Sequence, residues 1–255
     1  MNVKKYLAMI DVDESQIEIS VDFLSHLMKK HLIHVPYQNL ELLRLGRNWL
    51  RFDRPVEMIE NAVFKRRGGC CYDLNYSFFS LLQTLGFDCH LISAFIKQSE
   101  YDHMVIIVRL EQEYLADVGF GDFFFRRPIP LTGEVVHDLS GSYRIVRSGN
   151  RFTLQKFESD EWTVKYSFYT TVRHLEEFED QFNWFVNFPN PFNQNIIFNI
   201  CTETGFLRIL NDKITVIDKG KKYRYRIPSF HKDHFENLLF FFKQIRPCSV
   251  SKVSD

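Results

Sequence analysis

The sequence predicts an α+β fold in which helices come first, a curled sheet or barrel follows, and a smaller α/β segment comes last. Apolar residues recur at helical spacing over the first third of the chain. From about residue 88 they form short runs rich in β-branched residues, separated by turn residues. The chain has 255 residues, of which 45% are hydrophobic and 16% aromatic, so it can bury a sizeable core.

Three helices are predicted before residue 88. Ser20 is a favourable N-cap for the first helix, Pro55 fits the first position of the second, and Gly86 ends the third. Each helix carries one core-facing side, so we expect the three to pack as a small bundle. The residues predicted to face this core are Leu24, Leu27, Met28, His31, Leu32, Val56, Ile59, Val63, Leu74, Phe78, Leu81, Leu82 and Leu85.

Short strands dominate the rest of the chain. Gly149 lies in a hairpin signal between two of them. Helices are expected at residues 175–185 and 234–245. The predicted strands cover residues 90–96, 104–110, 114–119, 143–146, 152–157, 162–168, 196–201, 206–210, 214–217 and 223–227.

Charge and cysteine content exclude several classes of protein. Lys+Arg and Asp+Glu balance at 32 each, so no cationic surplus indicates nucleic acid or an anionic membrane as a partner. Five cysteines, an odd count without regular spacing, favour reduced thiols in a cytoplasmic protein. The apolar run at residues 6–10 is too short for a signal peptide, and no run approaches the ~20 apolar residues of a membrane span.

The segment RGGCCYDLN, at residues 67–75, is the strongest candidate for a reactive site. It places two cysteines at a predicted helix start, where the partial positive charge of the helix favours a thiolate. The two glycines would let backbone N–H groups approach a reacting carbonyl and hold an oxyanion. Spacing alone does not decide between Cys70 and Cys71 as nucleophile. Adjacent cysteines lack the spacing of a metal site.

His103 and Asp117 are the candidate partners of this thiol. His103 opens a very apolar predicted strand, and Asp117 lies inside the next one. A carboxylate in a buried strand is costly unless it is paired. A short turn joins the two strands, so the two side chains can meet across the ladder. The sequence therefore predicts a histidine that activates a cysteine and an aspartate that orients the histidine.

Four segments together resemble the arylamine N-acetyltransferase family. Residues 67–75 match its Arg-Gly-Gly-x-Cys-aromatic-acidic-x-Asn signature, and residues 35–40, VPYQNL, resemble its Val-Pro-Phe-Glu-Asn-Leu segment. His103 before an apolar strand, and DVGFG at residues 117–121, match the positions of the family's histidine and aspartate. Order and spacing agree over most of the chain, and the coincidence of four motifs is specific.

The resemblance implies a cysteine-proteinase-like fold in three parts. Residues 1–87 would form a helical bundle that carries the nucleophile. Residues 88–186 would form a central β-barrel that carries the histidine and the aspartate. Residues 187–255 would form a C-terminal α/β lid.

The resemblance also implies roles for single residues. Cys71 aligns with the family nucleophile, whereas Cys70 falls at a variable position. His103 aligns with the base and Asp117 with its orienting acid. The residues aligned with acceptor-pocket aromatics are Phe120 and Phe124, and those aligned with structural support for the nucleophile are Arg67, Gly68 and Gly69.

Gln38 departs from the family pattern. It stands where the family usually has a glutamate that can pair with the arginine aligned to Arg67. We therefore expect Arg67 to have another partner.

The implied activity is an acetyl-CoA-dependent N-acetyltransferase that acts on arylamines, arylhydrazines or related amines. The reaction would be ping-pong, through an acetyl-cysteine intermediate, with acetyl-CoA as the acyl-donor co-substrate and no metal. The implied partners are coenzyme A and a small-molecule amine, with no nucleic acid and no membrane. Three alternatives stay open: a thiol hydrolase or amidase, an amide synthase with the same three residues, and a binding protein without turnover.

Overall fold

The structure, a computed structural model, describes residues 1–49, 52–97, 99–121 and 125–226. Its succession of helices and strands confirms the α+β class. The helix predicted at residues 234–245 lies outside the described residues, as does Phe124. Within the described ranges, the helices are too short or too polar to cross a membrane.

The helices lie mainly in the first third of the chain. They are α1 (Val3–Met9), α2 (Val21–His34), α3 (Leu40–Leu45), α4 (Pro55–Ile59), α5 (Cys71–Leu85), α6 (Glu179–Asn187) and α7 (Pro191–Gln194). A π-helical turn, Glu60–Phe64, continues α4, and a 3-10 turn, Leu175–Phe178, leads into α6.

Caps and apolar faces explain where these helices begin and what they bury. The hydroxyl of Ser20 accepts the N–H of Phe23 at 3.2 Å, which caps α2 as predicted. Gly86, in the left-handed region with φ of 98°, ends α5 as predicted. The prediction for Val56 is wrong, because its exposed fraction is 75%. The continuation of α4 into the π-helical turn buries a different set of residues, namely Met58, Ile59, Ala62 and Val63.

An eight-stranded antiparallel sheet forms the middle of the molecule. Its strands are β2 (Asp88–Phe95), β3 (His103–Arg109), β4 (Glu113–Ala116), β5 (Ile129–Pro130), β6 (Val136–Asp138), β7 (Gly141–Ser148), β8 (Arg151–Glu158) and β9 (Glu161–Phe168). Their spatial order is β5-β4-β3-β2-β9-β8-β7-β6, and β5 returns to contact β7, so the sheet curls into a nearly closed barrel. Helix α5 packs against β2 and β3.

A second antiparallel sheet joins the two ends of the described chain. Strand β1 (Tyr37–Gln38) pairs with β10 (Ile197–Cys201), followed by β11 (Gly205–Leu210), β12 (Lys213–Asp218) and β13 (Lys221–Arg226). Strand β1, from the first part of the chain, thus shares a sheet with strands that come after α7, and Tyr37 also bridges to Gly69 just before α5. The predicted boundaries after residues 87 and 186 stay predictions.

Candidate active site

Helix α5 begins at Cys71, and Cys70 is its N-cap. Cys71 is half-buried and lines a cavity whose wall also includes His103. The exposed fraction of Cys70, by contrast, is only 2%. The structure therefore gives Cys71 both access to a ligand and a base, which spacing alone did not decide.

The two glycines before these cysteines pack their backbone closely against other parts of the protein. The N–H of Gly68 donates to the carbonyl of Ala62 at 2.9 Å, and the N–H of Gly69 donates to that of Pro36 at 3.1 Å. Both N–H groups are therefore engaged within the fold and do not face a reacting carbonyl. Gly68 has a φ of +70°, and an added Cβ there would lie 2.1 Å from the carbonyl oxygen of Pro36. The glycines thus permit close backbone packing under the start of α5.

His103 and Asp117 meet beside Cys71. His103 is the first residue of β3, and its Nε2 lies 2.7 Å from Oδ2 of Asp117. Because Nε2 bonds to Asp117, Nδ1 is the ring nitrogen left for another partner. Asp117 is not inside a strand as predicted, since β4 ends at Ala116. The N–H of Gly119 donates to Oδ1 of Asp117 at 2.9 Å, and this turn takes the chain out of the ladder.

Four donors hold the carboxylate of Asp117. Its Oδ2 accepts from His103 and from the hydroxyl of Tyr166, at 2.7 and 2.9 Å. Its Oδ1 accepts from the amide of Asn75 and the N–H of Gly119, both at 2.9 Å. A buried carboxylate with this many donors stays ionised and fixed in orientation. It can therefore orient the imidazole and stabilise its positive charge.

The proton distribution follows from these contacts. Burial alone would raise the pKa of the Cys71 thiol, but hydrogen bonds from Cys70 and His103, and the charge of His103, lower it to about 6. Burial alone would lower the pKa of His103, but the carboxylate of Asp117 raises it to about 10. Burial would also raise the pKa of Asp117, yet the positive charge of His103 holds it below its usual range. Between about pH 6 and about pH 10, therefore, the site holds a Cys71 thiolate beside a His103 imidazolium.

Alkylation should report this ion pair directly. A lowered thiol pKa means more thiolate at a given pH, so the rate of Cys71 modification by iodoacetamide should rise with a midpoint near pH 6. An ordinary thiol has its midpoint at about 8.5. Cys89 is an internal control, because burial raises the pKa of its thiol to about 12. Peptide mass spectrometry across pH 4–10 measures both, and a Cys71 midpoint above about 8 would contradict the ion pair.

A cavity of about 610 Å³ opens onto Cys71. Much of its wall is aromatic, and Phe120 is in edge contact with the ring of His103 at 5.2 Å between centroids. Phe120 thus lies where the resemblance implies an acceptor pocket, while Phe124 is outside the described residues. Helix α6 and the segment after it supply four further rings, those of Phe182, Trp184, Phe185 and Phe192, and Tyr37 and Tyr72 also line the wall.

Two residues of the site were missed from the sequence. Asn75 donates to Asp117 and to the carbonyl of Met104, and accepts the N–H of Val118 at 2.8 Å. It lies one helical turn after Cys71, so the i, i+4 spacing was a usable signal. Tyr166 also bonds to Asp117, and only its inward position in the alternation of β9 pointed to it.

Arg67 finds its carboxylate in Glu41. Nη1 of Arg67 lies 3.9 Å from Oε2 of Glu41, and Nη2 of Arg44 lies 2.9 Å from the same oxygen. Gln38 instead donates its amide to the backbone carbonyl of Arg67 at 3.1 Å, and its Oε1 accepts the N–H of Leu40. The acid therefore lies three residues after the position where the family usually carries it, at the first turn of α3.

Glu41→Gln should destabilise the protein by about 1–3 kcal/mol, because it leaves two arginines without a buried carboxylate. The side chain of Glu41 is only 4% exposed, although both arginines reach solvent. The matched control is Glu57→Gln, which removes a surface pair with Arg54 in which both side chains are 53% exposed. That control should cost about 0–1 kcal/mol. Urea unfolding measures the free energy of unfolding of both variants. An equal loss of stability in Glu41→Gln and Glu57→Gln would mean that Glu41 does not hold Arg67.

The described residues contain no evident set of metal ligands. Across residues 1–49, 52–97, 99–121 and 125–226, no three His, Cys, Asp or Glu side chains are grouped closely enough to hold an ion. The site instead combines the thiol of Cys71 with the hydrogen-bonded pair His103–Asp117, at the wall of an aromatic cavity.

Comparison with known proteins gives the family. A family model described as N-acetyltransferase matches residues 20–240. An arylamine N-acetyltransferase of Escherichia coli is 27% identical over 228 residues, which cover 86% of this chain and 74% of the relative.

Solved structures agree. An arylamine N-acetyltransferase of Bacillus cereus, described with a unique Cys-His-Glu catalytic triad, has a TM-score of 0.81 at 28% identity, covering 94% of this chain and 96% of that one. A Mycobacterium marinum arylamine N-acetyltransferase in complex with CoA has a TM-score of 0.83 at 20% identity, covering 95% of this chain and 93% of that one. The chain therefore belongs to the arylamine N-acetyltransferase family.

Proposed function

We propose that this acetyltransferase moves an acetyl group from acetyl-CoA to an arylamine, an arylhydrazine or a related amine, through an acetyl-Cys71 intermediate. The observation that carries the proposal is the buried, hydrogen-bonded pair His103–Asp117 beside Cys71, at the wall of an aromatic cavity. Coenzyme A as the leaving product is supported by the related Mycobacterium marinum protein, whose structure contains it.

In the first half-reaction the thiolate of Cys71 attacks the thioester carbonyl of acetyl-CoA. A C–S bond to Cys71 forms, the C–S bond to coenzyme A breaks, and the imidazolium of His103 can protonate the departing thiolate. N–H groups in the first turn of a helix have no acceptor within the helix, so we propose that those at the start of α5 stabilise the oxyanion. Asp117 keeps the imidazole oriented throughout.

In the second half-reaction the amine attacks acetyl-Cys71. His103, now neutral, accepts the proton that the amine loses, and Cys71 leaves again as a thiolate. An aromatic amine suits this step because it is largely neutral at pH 7 and its lone pair is available. The ring of Phe120 and the aromatic side chains of α6 give an aromatic acceptor a matching surface. A positioned base typically contributes about 100–10,000-fold to such a step.

Hydrolysis is the competing outcome, since water could attack the same intermediate. The aromatic wall of the cavity favours exclusion of water and hence transfer to an amine.

The four cysteines within the described residues are free thiols, which accords with the cytoplasmic location that we propose.

Mass spectrometry of the peptide that holds Cys70 and Cys71 tests the proposal. The protein is incubated with acetyl-CoA alone, and we expect a stable acetyl group on Cys71 that added aniline or phenylhydrazine removes as the acetylated amine. Cys71→Ala should abolish the adduct. An acetyl group on Cys70 that survives in Cys71→Ala would overturn the assignment, and rapid loss to water without an amine would indicate a hydrolase.

A further inference from the structure

The wall of the cavity at Cys71 contains a polar patch that the proposed reaction does not use. Three of its residues lie on the loop between β2 and β3, directly before His103, and the fourth lies on α6. The residues of this polar patch are Lys97, Ser99, Asp102 and Gln181. Much of the remaining wall is aromatic, so the patch is where the wall can distinguish one polar ligand from another.

Hydrogen bonds fix the carboxylate of Asp102 within the polar patch. The backbone N–H of Lys97 donates to its Oδ2 at 2.9 Å, and the side-chain amide of Gln181 donates to its Oδ1 at 3.1 Å. The hydroxyl of Ser99 in turn donates to the side-chain oxygen of Gln181 at 2.9 Å. Both carboxylate oxygens are therefore held by groups that line the cavity, and the negative charge is fixed in its wall.

Lys97 supplies the opposite charge in the same patch. Its side chain is exposed, whereas Asp102 is half-buried. A charge in water is strongly screened, and a charge held in a partly buried wall acts through a lower effective dielectric constant. For a ligand inside the cavity, the field of Asp102 should therefore outweigh that of Lys97.

The reacting groups do not offset this negative charge. Before acetylation the Cys71 thiolate and the His103 imidazolium cancel each other, while the carboxylate of Asp117 stays ionised. In the acetylated protein of the proposed mechanism, the thioester and the imidazole are both neutral and Asp117 keeps its charge. An incoming amine thus meets a net negative charge at either stage.

We propose that Asp102 is a specificity-determining residue, whose carboxylate favours acceptor amines with a cationic or neutral ring substituent over those with an anionic one. The inference rests on the proposed function, because it concerns the acceptor of the second half-reaction. Selection by charge needs proximity and not contact, since the Coulomb energy falls only as the inverse of distance. A cationic substituent such as an amidinium can in addition donate a charge-assisted hydrogen bond to the carboxylate.

Three acceptors of nearly equal shape test this charge directly. At pH 7 p-aminobenzamidine is cationic, p-aminobenzamide is neutral and p-aminobenzoate is anionic. The protein is first acetylated with acetyl-CoA, and the rate of transfer to each amine is then measured. In Asp102→Asn, the rate with the cationic amine relative to the anionic one should fall by about 100-fold, which is about tenfold per unit of charge. Each amine's own reactivity cancels, because the same amines are used with both proteins.

Two further variants separate the charge of Asp102 from the shape of the wall. Gln181→Met removes a hydrogen bond to Asp102 and leaves its charge, so it should keep most of the preference for the cationic amine. Lys97→Met removes the exposed cation and should change the ratio of rates less than Asp102→Asn does. An equal fall in Gln181→Met would mean that the position of the loop matters and not the charge. A larger change in Lys97→Met would assign the selection to the lysine, and either result would overturn the inference.

Protection of Cys71 from iodoacetamide, without acetyl-CoA, tests the inference apart from acetyl transfer. Each amine is titrated against the rate of Cys71 alkylation, which gives its dissociation constant. We expect p-aminobenzamidine to protect more strongly than p-aminobenzoate, and Asp102→Asn to remove most of that difference. If acetyl-CoA leaves Cys71 unmodified but this difference is present, the proposed function alone fails. If transfer occurs and Asp102→Asn leaves the charge preference unchanged, the inference alone is wrong.

Discussion

Asp117→Asn is expected to leave a folded protein in which acetylation of Cys71 by acetyl-CoA is slower by about 10³–10⁴-fold. The carboxylate raises the pKa of His103, and His103 in turn lowers the pKa of Cys71. An asparagine amide carries no charge, so the imidazole becomes less basic and the thiol returns toward its ordinary pKa. The amide also accepts at only one atom, so His103 loses the partner that fixes its tautomer.

The fold should survive this change because the amide has the shape of the carboxylate. Its oxygen can still accept from Asn75 and from the N–H of Gly119, which are the two donors to Oδ1. Tyr166→Phe is the matched control, since it removes one donor to the other oxygen and leaves the contact with His103 intact. We expect the rate of Cys71 acetylation in this control to fall by less than about tenfold, because only one hydrogen bond is removed.

Single-turnover acetylation, followed by mass spectrometry of the Cys71 peptide, measures both variants. Circular dichroism and thermal unfolding establish that each is folded. The alkylation midpoint of Cys71 should rise in Asp117→Asn and stay nearly unchanged in Tyr166→Phe. Unchanged acetylation kinetics in a folded Asp117→Asn variant would remove the aspartate from the proposed mechanism.

Local rules were sufficient for the elements that carry the site. Ser20 and Gly86 marked a helix start and a helix end through cap chemistry, and both are where the sequence placed them. The helix start at Cys71 followed from the glycines before it. The contact between His103 and Asp117 was predicted from two neighbouring strands, although Asp117 lies in the turn just after β4 and not in the ladder itself. Each of these depends on residues close together along the chain.

Contacts between distant segments could not be predicted in the same way. Asn75 and Tyr166 come from α5 and β9, yet both bond to Asp117. Glu41 lies in α3, whereas Arg67 lies in a separate segment just before α5, and only the fold brings them together. Periodicity can place Asn75 on the same helix face as Cys71, but it does not say that Asp117 is the group that Asn75 contacts.

The glycines show a further limit. The sequence predicts a close backbone approach near the nucleophile, and the N–H groups of both glycines are taken by two carbonyls of the protein. The sequence indicated the freedom of the backbone at Gly68 and not the partner that uses it.

Gly119→Ala is expected to reduce acetyl transfer by about 100-fold while the protein still folds. An added Cβ at Gly119 would lie 2.8 Å from Cα of Cys71 and 2.7 Å from the amide nitrogen of Asn75. The first contact is with the backbone of a helix, which moves only if the start of α5 moves. The second is with the amide that holds Asp117. The change therefore displaces the nucleophile and the orienting acid together.

Gly149→Ala separates this displacement from a general loss of stability. Gly149 lies in the β7–β8 turn with φ of +61°, and a Cβ there meets no atom within 4 Å. Alanine in that conformation costs about 1–2 kcal/mol, comparable with about 1–3 kcal/mol for overpacking at Gly119. We expect both variants to lose similar stability, and only Gly119→Ala to lose activity. That result would show that turnover depends on the position of Cys71 within a fraction of an ångström. Full activity in Gly119→Ala would mean that α5 can shift without harm, and that the contact between Cys71 and His103 tolerates the movement.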